Sequence, residues 1–216
     1  MLVDVSTEHP SLRELKKRRT REEISRHATR LFLRRGFDDV TIAEIAAAAG
    51  VSKMTVTNYF PRKEDLALDL GEVFVRIPAD AVRERRRGES ALAALRRAYL
   101  RKVAERDPVI GFSGPEFARM VTASSTLLTR LRQFHDDRET LLAKTLAEET
   151  GVPASDLTPR VAATVFGAVH RLLFEETLRL TLRELGDDAI AERITRDTET
   201  AFAALEPSFG DYAVRT

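Results

Sequence analysis

TIAEIAAAAGVSKMTVTNYF, residues 41–60, holds two short helical patterns separated by one glycine. Thr41 followed by Glu44 is a capping-box pair, in which each side chain satisfies a backbone N–H left over at a helix start. Ile42, Ile45, Ala46 and Ala49 then fall on one face, and Gly50 ends the helix. Ser52 is placed to cap a third helix that begins at once. Ala46, Gly50 and Val56 occupy the positions where a helix-turn-helix needs a small residue, a left-handed turn and an apolar residue closing the packing. On the third helix only Val56 and Phe60 read as strongly buried. Lys53, Met54, Thr55, Thr57, Asn58 and Tyr59 are therefore expected to project outward, as a helix that reads a major groove requires.

Upstream, Thr20 with Glu23 repeats the capping box, and Ile24, Ala28, Leu31 and Phe32 form an apolar face stopped by Gly36. From Ser11 to Lys63 there are thirteen Lys/Arg against six Asp/Glu, an excess of seven positive charges in a chain whose net charge is only +1. A basic N-terminal module is thus joined to a remainder that is acidic on balance.

Residues 20–66, TREEISRHATRLFLRRGFDDVTIAEIAAAAGVSKMTVTNYFPRKEDL, resemble the N-terminal DNA-binding domain of the TetR family of bacterial transcriptional regulators. The resemblance rests on linked elements: the RGF turn, the Thr-capped second helix, the AAAGVSK junction, the NYF end of the third helix and the FPRKEDL segment. It implies that Thr41 caps helix two and contacts a phosphate. Ser52, Lys53, Thr55, Thr57 and Asn58 would line the DNA-reading surface, with Lys53, Thr55 and Thr57 on bases and Met54 against a thymine methyl. Tyr59 and Lys63 would touch the backbone. Thr57 departs from the aromatic residue common there, so the preferred sequence cannot be copied from a relative. Lys16, Lys17, Arg18, Arg19 and Arg21 are expected before the first helix, as a DNA-contacting arm or a disordered tail.

The remainder reads as helical. Leu66, Leu70, Val73, Phe74 and Ile77 suggest one fourth helix, kinked or ended by Pro78. RERRRGES, residues 83–90, reads as an exposed helix end and loop, with a second nucleic-acid patch as the less favoured reading. Helices follow over about 91–106, 115–123 and 126–149. Two long ones come last: one with small residues at Ala163, Gly167 and Ala168 that let another helix approach, and one striped by Ile190, Ile194, Ala201, Phe202 and Leu205. The expected organisation is all-α, with about nine helices: a flexible arm over 1–19, a three-helix DNA-binding domain over 20–63, a larger effector-binding and dimerisation domain over 64–206, and a frayed tail over 207–216.

The family resemblance further implies a homodimer through the last two long helices, an inverted-repeat operator in double-stranded DNA and an unknown small-molecule effector. Candidate pocket residues are Phe74, Phe112, Phe117, Met120, Phe134, Phe166, His170 and Phe174, with His170 or Ser124 as a polar handle; taken singly, each also reads as ordinary core.

Other classes fit poorly. The chain has no cysteine and four histidines (His9, His27, His135, His170), with no HExxH, no phosphate-cradling Gly-rich loop and no Gly-x-Ser-x-Gly. His135, Asp136 and Asp137 are adjacent, and neighbours on a helix point about 100° apart, so they do not converge on one ion. No metal, cofactor or catalytic residue is expected. Without a signal-like start or an apolar run of about 20 residues, the chain reads as cytoplasmic, with no membrane partner. A helical DNA-binding module that lacks an effector is the competing reading.

Overall fold

A computed structural model describes residues 11–216; His9 and the first ten residues of the expected arm lie outside the described residues. Ten α-helices and one 3-10 turn make up the fold, with no strand among the described residues: α1 (Leu12–Arg35), α2 (Ile42–Ala48), α3 (Lys53–Tyr59), α4 (Lys63–Ala67), α5 (Gly71–Arg83), α6 (Ala91–Ala104), the turn Pro108–Ile110, α7 (Pro115–Ala123), α8 (Ser125–Thr150), α9 (Leu157–Leu182) and α10 (Asp187–Phe209). The chain divides into two compact units between Asp69 and Leu70. None of the described helices is long and apolar enough to cross a membrane.

In the first unit, α1 begins at Leu12 rather than at Thr20. Ser11 is its N-cap, accepting from Glu14 N–H while the Glu14 carboxylate accepts from Ser11 N–H at 2.8 Å. Between Leu12 and Thr20 there is neither glycine nor proline, and Leu, Arg, Lys and Glu all favour the helix, so it extends back to the first available cap. The residues expected as a flexible arm thus ride on a helix, with Arg18–Glu22 and Arg19–Glu23 paired one turn apart at 3.5 and 3.3 Å. Ile24, Ser25, Ala28 and Phe32 form the buried face of α1. Ser25 Oγ donates to Asp69, which fastens the end of this unit to its first helix.

The expected single fourth helix is two. α4 ends at Ala67, and α5 restarts at Gly71, where an added Cβ would lie 2.3 Å from the Phe134 ring on α8. Only a residue without a side chain allows α5 to approach α8 this closely. Leu70 and Val73, expected on the buried face, are 41% and 49% exposed. Pro78 neither ends nor interrupts α5, which continues to Arg83 with Pro78 buried inside it.

The second unit is a bundle in which α8 lies against α5 and α9, while α10 lies against α6 and α9. Ile190, Ile194 and Phe202 of the α10 stripe are buried inside this bundle. Gly167 faces α8, where a Cβ would come 3.2 Å from Glu139, so this small residue serves a helix of its own chain. The C-terminal segment is docked rather than frayed. α10 runs through Pro207 to Phe209, and Phe209 meets Phe166 at 5.2 Å between ring centres. Gly88 N–H donates to the Arg215 carbonyl at 2.8 Å, and Arg215 N–H donates to the Glu89 carbonyl at 3.1 Å. Arg85, read as part of an exposed loop, is only 2% exposed and holds this segment, while Arg86 and Arg87 beside it are exposed.

Candidate nucleic-acid interface

The junction between α2 and α3 is built from local hydrogen bonds. Gly50 adopts φ +65°, Val51 N–H donates to the Ala46 carbonyl at 3.0 Å, and Gly50 N–H donates to the Ala47 carbonyl at 3.2 Å. This is a Schellman ending, which spends the last carbonyls of α2 and turns the chain sharply. Ser52 Oγ then accepts from Thr55 N–H at 3.0 Å, so α3 is capped two residues after the turn. Val56 and Phe60 are buried to 0% and 1%, as expected, and fix which face of α3 looks inward.

The outward face carries Ser52, Lys53, Met54, Thr57 and Asn58, all exposed, with Thr55 and Tyr59 half-buried beside them. Met54 is 72% exposed, a large apolar side chain left in water at the middle of a polar face. The threonines are not freely rotating donors. Thr57 Oγ1 donates back to the Met54 carbonyl at 3.1 Å, and Thr55 Oγ1 lies 2.8 Å from Ser52 Oγ. The Thr57 hydroxyl therefore presents its lone pairs outward, to a donor.

Thr41 caps α2, and its N–H and hydroxyl both donate to Glu44 at 2.8 Å. A phosphate at Thr41 would have to displace a carboxylate that Arg35 also holds, 2.6 Å away. These partners hold the Glu44 carboxyl at about 2, far below its ordinary value of 4.5, with the Arg35 hydrogen bond as the largest cause and the Thr41 bonds next. A folded-state carboxyl pKa that is depressed stabilises the fold fully above the unfolded value and loses that effect as pH falls through the folded one. The wild-type melting temperature of this unit is therefore expected to fall more steeply between pH 4.5 and 2 than that of Glu44→Gln, followed by circular dichroism. Parallel curves would show that the box contributes nothing.

Lys63 lies under the same unit. Its ammonium donates to the Asp38 carbonyl at 3.2 Å and sits 4.3 Å from the Phe37 ring centre, and partial burial lowers its pKa. Arg21, expected in the arm, is anchored instead: its guanidinium donates to the Tyr59 carbonyl at 2.8 Å and lies 4.2 Å above the Phe60 ring. Sequence reasoning missed this role. The signal was present, because Arg21 stands one turn before Ile24 and Ser25 on the face that faces inward.

In the second unit, the candidate pocket residues separate into groups. Phe74 and Phe174 meet edge to face at 5.7 Å, with His135 against both. His170 stacks on Tyr99 at 5.3 Å and touches Phe202, whereas Phe166 belongs with Phe209. Phe112 and Met120 are buried and Phe117 half-buried. Phe134 supports Gly71, and Ser124 caps α8 through Leu127 N–H. No three Asp, Glu or His side chains among the described residues are arranged to hold a metal ion.

A short capped helix with a polar outer face, set after a Schellman turn and followed by a separate helical bundle, defines a helix-turn-helix regulator of the DNA-binding class. Residues 24–70 match the family described as bacterial regulatory proteins, tetR family. The chain is 32% identical over 214 residues to the HTH-type transcriptional regulator TcmR of Streptomyces glaucescens, covering 94% of this chain and 90% of the relative. It belongs to the TetR family of DNA-binding transcriptional regulators.

Solved structures agree on the fold. A SmeT–triclosan complex matches with a TM-score of 0.57 at 19% identity, covering 90% of this chain and 94% of that one. NalD, the secondary repressor of the MexAB-OprM multidrug efflux pump in Pseudomonas aeruginosa, matches with a TM-score of 0.53 at 24% identity, covering 87% and 97%.

Proposed function

We propose that this regulator is a homodimeric repressor that reads an inverted-repeat operator with α3 and is released from it by a small-molecule effector bound in the second unit. The outer face of α3 carries this reading: six polar side chains and one exposed methionine on a helix whose caps and buried face are already satisfied. Lys53, Thr55 and Thr57 contact bases, Met54 meets a thymine methyl, and Ser52, Asn58, Tyr59 and Lys63 complete the contact surface. Thr41 contributes chiefly as the cap that holds α2, because its donors are spent on Glu44.

Dimerisation through α9 and α10 is supported by the outer side of α9, where Leu157 and Leu172 are each 65% exposed and Val161 is 46% exposed. A row of aliphatic side chains in water on a long helix is the kind of surface a second helix pair covers. A two-fold dimer must meet major grooves about one helical turn apart or somewhat more, hence the inverted repeat. Effector binding would favour a conformation unsuited to that spacing, by as much as its differential affinity for the two states.

The test is selection of bound sequences from a random duplex pool, followed by affinity measurements on the enriched site. Thr57→Val is expected to cost about 1–3 kcal/mol at one base pair of each half-site while leaving the salt dependence unchanged. Lys63→Ala should weaken binding to all sequences alike and flatten the plot of log affinity against log salt. Selection that enriches no repeat, or two variants with the same sequence-independent loss, defeats the reading.

A further inference from the structure

Arg138 on α8 is 6% exposed, yet no carboxylate pairs with it among the described residues. Its guanidinium donates to His135 Nδ1 at 2.9 Å and lies 4.4 Å from the centre of the Phe74 ring, while Nε has no hydrogen-bond partner. Glu139, its neighbour in sequence, is turned away to accept from Thr164. Two more buried polar atoms lie nearby: His170 Nδ1 on α9 has no partner, and Tyr99 Oη on α6, whose ring stacks on His170, makes no well-formed hydrogen bond and lies towards Thr177. Burial, and after it the field of Arg138, holds His170 neutral, and the same field reaches Tyr99. Three helices thus bring a cation and poorly satisfied polar groups into one place, bordered by Phe74 of α5, Phe174 of α9 and Phe202 of α10.

A buried, hydrogen-bonded cation normally has an anion beside it, because desolvation costs several kcal/mol that the aromatic face and one imidazole do not fully return. Arg138 Nε–H and Tyr99 Oη–H are donors, and His170 Nδ1 takes either role. What satisfies the donors is an acceptor carrying negative charge, and the rings that border them favour a flat apolar body.

We propose that the Arg138 cluster is the anion-binding end of the effector site and that the effector is a small aromatic acid, its carboxylate or phenolate oxygen on Arg138 and Tyr99 and its ring among Phe74, Phe174 and His170. The proposal rests on the effector-release reading above and names the chemical class of the effector. Binding reaches the site by local opening of the bundle, so a slow association rate accompanies it. The neutral imidazoles of His135 and His170 line the site without adding a second charge.

The experiment uses the full chain with benzoate, 2-naphthoate and biphenyl-4-carboxylate, each beside its uncharged amide, by calorimetry and thermal unfolding. At least one acid is expected to bind and raise the melting temperature, with its amide weaker by about 100-fold. Arg138→Met should abolish the acid's advantage, and Arg138→Lys should restore part of it, because the charge returns without the planar fork. Without ligand, Arg138→Met should melt at the wild-type temperature or above it, since an unpaired buried charge has been replaced by an apolar side chain of similar length.

Amides that bind as well as acids, no acid that binds, or a strongly destabilised unliganded Arg138→Met would each overturn the proposal; the comparison of acid with amide on the wild-type chain needs no variant. Operator affinity is measured in parallel. A neutral compound that releases DNA when no acid binds would defeat this proposal and leave the release reading standing. An acid that binds through Arg138 without altering operator affinity would support the site and defeat release.

Discussion

A Phe32→Ala chain is expected to lose operator binding at ordinary growth temperatures, because its first unit should be destabilised by about 3–5 kcal/mol. Phe32 is fully buried at the end of the inward face of α1, 5.2 Å from the Phe37 ring and beneath the Lys63 ammonium at 5.9 Å. Truncation removes the ring and leaves a cavity that the surrounding helices close only in part, since α1, α2 and α3 are each fixed at the N-terminus by a side-chain cap. Small units have little stability in reserve, so a loss of this size is a large part of the whole. The orientation of α3 depends on the same core through Val56 and Phe60. Thermal unfolding of the full chain should show an early transition confined to the first unit, and affinity for the selected operator should fall with it. Phe32→Leu, which keeps most of the volume, should retain binding. Undiminished operator affinity in Phe32→Ala would mean that α3 is positioned without this core.

Arg85→Ala should cost the second unit about 1–3 kcal/mol, because the buried guanidinium leaves its carbonyl acceptors without a donor, whereas its partner Glu149 is 30% exposed and stays hydrated. Arg85 donates to the Ala213 carbonyl at 2.8 Å and to the Val82 carbonyl at 2.7 Å, and it pairs with Glu149. The deletion strands two carbonyls and releases the clasp on the C-terminal segment. Amide hydrogen exchange at Gly88, Ala91 and Arg215, whose N–H groups bridge this segment and the loop, should accelerate well before the rest of the bundle. Arg87→Ala, an exposed change in the same arginine run, should stay within about 0.5 kcal/mol of wild type. Unchanged exchange in Arg85→Ala would show that the segment is held without Arg85, by Phe209, Tyr212 and the Arg215 bonds to the loop.

Arg85 illustrates where reading by sequence stops. RERRRGES contains several arginines that are equivalent by composition, yet one is buried and its neighbours Arg86 and Arg87 are exposed. The distinction lies in Ala213 and Glu149, which are far along the chain and invisible to any local window. Arg138 is the same case, an arginine on a charged helix that only the approach of α5, α6 and α9 makes buried and unpaired. The break between α4 and α5 is likewise invisible to a local reading, since the apolar spacing of Leu66, Leu70 and Val73 is compatible with a continuous helix. At the start of α1 the difficulty is of another kind: Thr20 with Glu23 reads as the beginning of the helix, whereas the uninterrupted run of good helix formers before them carries it back to the Ser11–Glu14 cap.

By itself the sequence determined the all-helical class, the ends of α2, the start of α3, and which residues of α3 face inward. Caps, glycine turns and the 3.6-residue period are properties of a few neighbouring residues, so the information is complete within the segment. Only the tertiary structure decided which arginines are buried, where the C-terminal segment lies, that Gly167 serves α8, and that Tyr99, His135, Arg138 and His170 share one site. Burial and pairing across helices are set by residues that are distant in the chain and adjacent in space, and the energy of a charge depends on what surrounds it more than on its own identity.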